Sequence, residues 1–339
     1  MVGDMSNTRS IDVAGEFPDA VLARSWLGVA TGAELGAAPL AVRVLEQDLV
    51  LWRDAGGAAR AFVDRCGHRG ARLSLGVVRE GQLVCPYHGW RFAGDGRCTY
   101  WPAHPQEVPP AQVGARTAHT AEAYGMVWVC LDEPRGPLPD FPAYAAPGRR
   151  SAIDPAVDFA ACAPRVVENF LDMAHFPFVH TGVLGAEPHT EVDDYDVEVS
   201  AEGVASIGCR FWQPQPSALA EGGTYADYAY RVLGPTVASL GKLPGRPDAF
   251  DILLVTTPID EFTTRVWKIN VFADTDDATA ARFSRFSQAA MVQDRRIVES
   301  QSPKRMPLAP RVEFHQRADK LAAAYRRWLR ELGLRYGVS

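Results

Sequence analysis

Two sets of metal-ligating residues follow one another along this chain. Cys66 and His68, then Cys85 and His88 after sixteen intervening residues, bring two thiolates and two imidazoles together in two short loops. Such a set suits a [2Fe–2S] cluster in which the cysteines hold one iron and the histidines the other. Tetrahedral zinc accepts the same donors, but the flanks CGHRGARLS and CPYHGW favour the cluster. Gly70, Pro86 and Gly89 are expected to allow close backbone approach and N–H donation toward bridging sulfides. The second set is Asn169, Asp172, His175 and His180. The two histidines are five positions apart, which an ideal helix would turn by roughly 140° from one another. Pro177 lies between them, so the helix is expected to end or distort there and let both imidazoles reach one metal. Asn169, Asp172 and His175 step by three on one helix face, which lets Asp172 accept a hydrogen bond from the histidine.

These residues need elements to hold them. Residues 41–63 carry apolar, β-branched runs broken at Asp54–Gly57, the pattern of a hairpin, and short strands are expected again at 82–84, 90–93 and 125–131. From 131 to 155, six prolines and two glycines predict an extended connector and a domain boundary, giving an all-β domain over 1–150 and a second domain over 151–339. In the latter, 164–176 and 280–300 have helical spacing, while 195–212 and 225–272 alternate as strands, with Trp267, Ile269 and Val271 on one face. A final helix over 317–332 is expected to bury Leu321, Tyr325, Trp328, Leu329 and Leu332. The fold class is therefore α+β, with an antiparallel sheet flanked by helices.

The segment ENFLDMAHFPFVH, together with the Cys/His pairs, resembles the Rieske non-haem iron oxygenases, and the resemblance covers nearly the whole chain. Ala71 and Tyr87 stand where respiratory Rieske proteins carry an extra disulfide, so the likeness is to the oxygenase type; Gly67 replaces the proline common between the first Cys and His. Length and the phrase DMAHFPFVHTGVLG are most similar to the homotrimeric group of vanillate and caffeine demethylases, dicamba monooxygenase and aminopyrrolnitrin oxygenase. The resemblance implies a helix-grip catalytic domain and a [2Fe–2S] cluster on Cys66, His68, Cys85 and His88. It also implies a mononuclear Fe(II) on His175, His180 and a carboxylate, the 2-His-1-carboxylate triad. Asp294, in AAMVQDRRIVESQ, is the candidate; Asp251, Asp260, Glu261 and Glu299 are its rivals. Asn169 is implied to support the iron site, and Asp172 to bridge from a cluster histidine of one subunit to an iron ligand of the next.

The expected activity is monooxygenation of a small aromatic or heterocyclic compound by hydroxylation, O- or N-dealkylation or N-oxygenation, with O2 as co-substrate. Ring cis-dihydroxylation is the alternative within the class, and an electron-transfer or redox-sensing protein the alternative outside it. No Gly-rich dinucleotide turn follows a strand, so NAD(P)H is expected to act only through a separate reductase or ferredoxin. A net charge of -6 gives no basic surplus for nucleic acid, and neither a signal-peptide core nor an 18-residue apolar run is present, predicting a cytoplasmic protein without a membrane span. Cys98, Cys130, Cys162 and Cys209 are scattered and expected to be small buried hydrophobes. The run Glu191–Glu198 is expected to be solvated, and His104, His119, His189 and His315 have no partner at metal spacing. Phe211, Trp212, Tyr225, Tyr228, Tyr230, Leu240 and Leu253 are candidate pocket walls, and Phe176 and Phe178 flank the second histidine pair.

Overall fold

Short apolar runs separated by turn residues build the first unit. The computed structural model describes residues 17–246 and 249–339, so the expectation about a leader over 1–16 falls outside the described part. The strands in order are β1 (Leu27–Thr31), β2 (Leu40–Val44), β3 (Gln47–Arg53), β4 (Ala59–Val63), β5 (Val77–Arg79), β6 (Gln82–Val84), β7 (Arg91–Phe92), β8 (Cys98–Tyr100), β9 (Thr117–Ala123) and β10 (Met126–Cys130). They form a six-stranded sheet, β1-β10-β9-β4-β3-β2, and a four-stranded one, β5-β6-β7-β8. The β3–β4 turn closes as its composition predicts. Asp54 Oδ1 accepts from the Gly56 and Ala58 amides at 2.9 and 3.1 Å, and Gly57 takes φ +80°. The β2–β3 turn was not expected from its residues, because Leu45 and Glu46 both hold positive φ, a conformation normally supplied by Asn or Gly. Trp52, Phe62, Leu73, Leu83 and Phe92 form a core that also takes in Cys66, Cys85 and Cys98.

The second unit comprises residues 19–27 and 136–339. Its strands are β11 (Arg149–Ile153), β12 (Val157–Phe159), β13 (Asp196–Val199), β14 (Val204–Ile207), β15 (Cys209–Gln213), β16 (Thr224–Gly234), β17 (Val237–Lys242), β18 (Phe250–Asp260) and β19 (Thr263–Ala273). Its helices are α1 (Ala20–Ala23), α2 (Ala163–Leu171), α3 (Phe176–Val179), α4 (Asp277–Ser300) and α5 (Lys320–Leu332). The sheet runs β11-β19-β18-β17-β16-β14-β13, with antiparallel neighbours. The helices α2, α4 and α5 pack on it, the helix-grip arrangement of an α+β fold.

Four sequence expectations are corrected here. The connector over 131–155 is not wholly extended loop, because Arg149–Ile153 pairs with β19 as an edge strand. The helix expected over 164–176 stops at Leu171. Asp172 turns extended, and its Oδ1 accepts from the Ala174 amide at 2.8 Å, an Asx turn that competes with the helix. Pro177 therefore opens a new turn, α3, instead of breaking an old one. Both faces of β19 are buried, Val266, Lys268, Asn270 and Phe272 as well as Trp267, Ile269 and Val271. Leu332 is only half-buried, while Leu321, Tyr325, Trp328 and Leu329 are in the core.

Candidate metal centres and the cavity beside them

Each Cys/His pair of the first unit sits in a loop of the same construction. The Cys66 carbonyl accepts from the Gly70 amide at 2.9 Å and its amide donates to the Ala71 carbonyl at 2.8 Å. Cys85 does the same with Gly89 at 3.1 Å and Trp90 at 2.8 Å. Gly70 and Gly89 take φ +70° and +69°. Their N–H groups thus close the loops on the cysteine carbonyls. The two loops bring His68 Nδ1 within 3.2 Å of His88 Nδ1, with the His68 ring stacked 4.5 Å from Trp90. The cysteines are buried and the histidines exposed. Burial pushes the Cys66 thiol up to about 12, with the adjacent Cys85 adding to it, so a thiolate there needs a neighbouring positive charge. Two buried sulfurs and two facing imidazole nitrogens are the donor set of a cluster with one Cys-held and one His-held iron.

In the second unit three donors converge. His175 Nε2 lies 3.2 Å from His180 Nε2, and Asp294 Oδ1 lies 3.3 Å from the first and 3.0 Å from the second. The other ring nitrogens are engaged: His175 Nδ1 is 2.9 Å from Asp172 Oδ2, and His180 Nδ1 is 2.8 Å from Gln293 Oε1. Both partners are acceptors, so each Nδ1 carries a proton and each Nε2 can present a lone pair toward Asp294. Asp294 Oδ1 is buried without a hydrogen-bond donor. Three electron-rich atoms in contact repel one another unless a cation lies among them, and a neutral-imidazole pair with one carboxylate suits non-haem iron. The rival carboxylates are engaged elsewhere: Asp251 with Arg149, Glu261 with Arg305, Glu299 with Arg295, and Asp260 on the Phe262 amide. Among the described residues, His104, His119, His189 and His315 join no such group. Asn169 is not among the converging donors; it lines the adjoining cavity. Gln293 was missed by sequence reasoning, and only its place beside Asp294 could have flagged it.

That cavity, about 670 Å³ with the open space at its mouth included, lies between the sheet and helices α2 and α4. Strand register fixes its floor: Tyr228, Lys242, Phe250 and Phe272 form one cross-strand row and Tyr230, Leu240, Ile252 and Asn270 the next. From α4, Phe283, Ser287, Ala290 and Asp294 project at helical spacing. Of the predicted walls, Tyr228, Tyr230 and Leu240 line it, as does Phe176. Phe211 and Leu253 are buried elsewhere in the core, while Tyr225 and Phe178 are exposed and Trp212 packs on His189. Lys242, Lys268 and Asn270 went unread because polar residues alternating in a strand look solvent-facing.

Residues 25–121 match the Rieske [2Fe-2S] domain family, and residues 159–335 match the vanillate O-demethylase oxygenase C-terminal domain family. The methylxanthine N1-demethylase NdmA of Pseudomonas putida is 32% identical over 321 residues, 91% of this chain and 88% of that one. The probable methylxanthine N7-demethylase NdmC of Pseudomonas sp. (strain TJI-51) is 41% identical over 64% of this chain and 78% of its own length. Among solved structures, Pseudomonas putida CBB5 NdmA with caffeine superposes with a TM-score of 0.80 at 30% identity, covering 92% of this chain and 91% of that chain.

Proposed function

The chain belongs to the Rieske oxygenases of the vanillate O-demethylase type, and from that premise we propose which of its residues do the work and on what. It is an oxygenase component that carries a Rieske cluster and a mononuclear iron, uses O2, and takes its electrons from a separate reductase or ferredoxin. We assign the cluster to Cys66, His68, Cys85 and His88, and the iron to His175, His180 and Asp294. When bound, the two groups supply one-electron transfer and O2 activation, placing one oxygen atom in the substrate and the other in water.

The chain's own residues set the conditions for that chemistry. Asp172 and Gln293 hold protons at the two Nδ1 atoms and keep both Nε2 lone pairs free for metal. Phe170, Phe176 and Phe286 line the cavity with rings that exclude water, and Asn169 lines it at the end of α2. The substrate is a small aromatic or heterocyclic molecule oxygenated at carbon or nitrogen; oxidation of an N- or O-methyl carbon releases it as formaldehyde. The names of the relatives, methylxanthine demethylases and a dicamba O-demethylase, support the demethylating outcome. Homotrimeric assembly is carried over from the resemblance, and six free cysteines favour a reducing cytoplasm.

The observation that carries the reading is the convergence of His175, His180 and Asp294 on one wall of an aromatic cavity. Metal and sulfide analysis of anaerobically purified protein tests it. About three irons and two sulfides per chain are expected, falling to about two irons with sulfide retained in Asp294→Ala. Three irons in Asp294→Ala would rule this residue out as a ligand.

A further inference from the structure

Among the polar side chains that line the cavity, Lys268, Asn270 and Ser287 come together, and each leaves hydrogen-bonding capacity unused. Asn270 Nδ2 and Ser287 Oγ are buried without a hydrogen-bond partner, and Lys268, only 6% exposed, gives one long bond of 3.3 Å to the Ser287 carbonyl. Lys268 and Asn270 are two apart on β19 and share a face, and Ser287 comes to them from α4. Asp154 and Asp294 act on the ammonium through space without a salt bridge. Asp154 does not line the cavity. A buried donor left unpaired costs about 1–3 kcal/mol, so such a cluster at a cavity wall is a place for a ligand acceptor.

Charge decides what kind of acceptor. Fe(II) with two neutral imidazoles and one carboxylate leaves a net positive centre, Lys268 adds a second positive charge, and the ammonium of Lys242 lies over the Tyr228 and Phe250 rings on the same floor. Burial works against the Lys268 ammonium, and an anion brought in with the substrate would offset that penalty. Ser287 precedes Asp294 by seven residues on α4, about 10 Å along the axis, so a group held there leaves the far end of a flat ring system beside the iron ligands.

We propose that the substrate carries an anionic oxygen group, a carboxylate or the ionised oxygen of an acidic ring, received by Lys268, Asn270 and Ser287 two helical turns from Asp294. The proposal rests on the oxygenase reading and narrows its substrate class. Calorimetry on the anaerobic, iron-loaded protein with matched pairs tests it: benzoate and benzamide, 4-methoxybenzoate and 4-methoxybenzamide, 2-naphthoate and 2-naphthamide. At least one acid is expected to bind tighter than its amide by on the order of tenfold or more. Lys268→Met and the near-isosteric Asn270→Asp are each expected to bring that ratio to about one, with circular dichroism and iron content checked on the same samples. The proposal is overturned if no acid outbinds its amide, which includes no acid binding at millimolar concentration, or if the ratio survives in either folded variant. Loss of iron or sulfide from the parent protein would instead sink the oxygenase reading, so the two failures are distinguishable.

Discussion

The protons on two imidazoles decide what His175, His180 and Asp294 can hold. Gln293 accepts from His180 Nδ1, so Gln293→Leu frees that ring to flip or to place its proton on Nε2. Iron affinity is expected to fall by roughly 10–100-fold with the fold intact, and Gln293→Glu, which keeps an acceptor, is expected to restore most of it; equal affinity in all three proteins would remove Gln293 from the site. His175 responds to pH. Burial alone would lower its pKa, but the Asp172 hydrogen bond and the negative charges of Asp172 and Asp294 outweigh burial and raise it to about 9. The metal-free ring is therefore protonated at neutral pH, and iron must displace that proton. Affinity is expected to rise about tenfold per pH unit up to about 9 and then level off, as chelator competition between pH 6.5 and 9.5 would show. The same proton stabilises the metal-free fold below the ordinary value of 6.5 and ceases to do so as the pH rises through 9.

Loops and helix ends aim these residues, and here sequence reading reached its edge. The matched loops at Cys66 and Cys85 depend on one left-handed glycine each. A Cβ at Gly89 would sit 3.0 Å from Pro102 Cγ besides occupying φ +69°. Gly89→Ala is expected to cost about 1–2 kcal/mol in the loop and to lower cluster sulfide per chain, while a substitution at Gly136, which has open space around it, is expected to leave sulfide unchanged. Spacing revealed the Cys/His loops and the histidine pair because their donors are local. It missed where α2 ends, because the Asp172 side chain competes with the helix two residues on, and it credited Pro177 with a break already made. The Leu45–Glu46 turn was equally opaque, its positive φ values being imposed by strand pairing. Pocket walls were half legible. Apolar residues at alternate positions announce burial, whereas Lys268 and Asn270 announce solvent and are nonetheless inside.

At the scale of the molecule the question is how electrons pass from the cluster to the iron. In the first unit the cysteines are buried and His68 and His88 exposed, so with the cluster assigned as proposed the histidine edge is the side open to electron exit. In the second, Asp172 keeps 29% of its side chain exposed while bonded to His175, which gives the iron ligands a solvent-accessible hydrogen-bonded path. An exposed histidine edge and a partly exposed Asp172 suit a contact between subunits, the role that the resemblance assigns to Asp172. A complementation experiment separates this route from one within a single chain. On the assignment proposed above, His88→Ala lacks a cluster ligand and His180→Ala an iron ligand, so each protein alone is expected to be inactive. Co-expressed with different tags and purified as mixed assemblies, they are expected to regain activity, because an intact cluster in one subunit then faces an intact iron site in the next. Adding Asp172→Asn to the His88→Ala chain is expected to abolish the gain with iron retained, since that chain supplies the receiving iron. Mixed assemblies as inactive as their parents would mean that the electron stays within one chain.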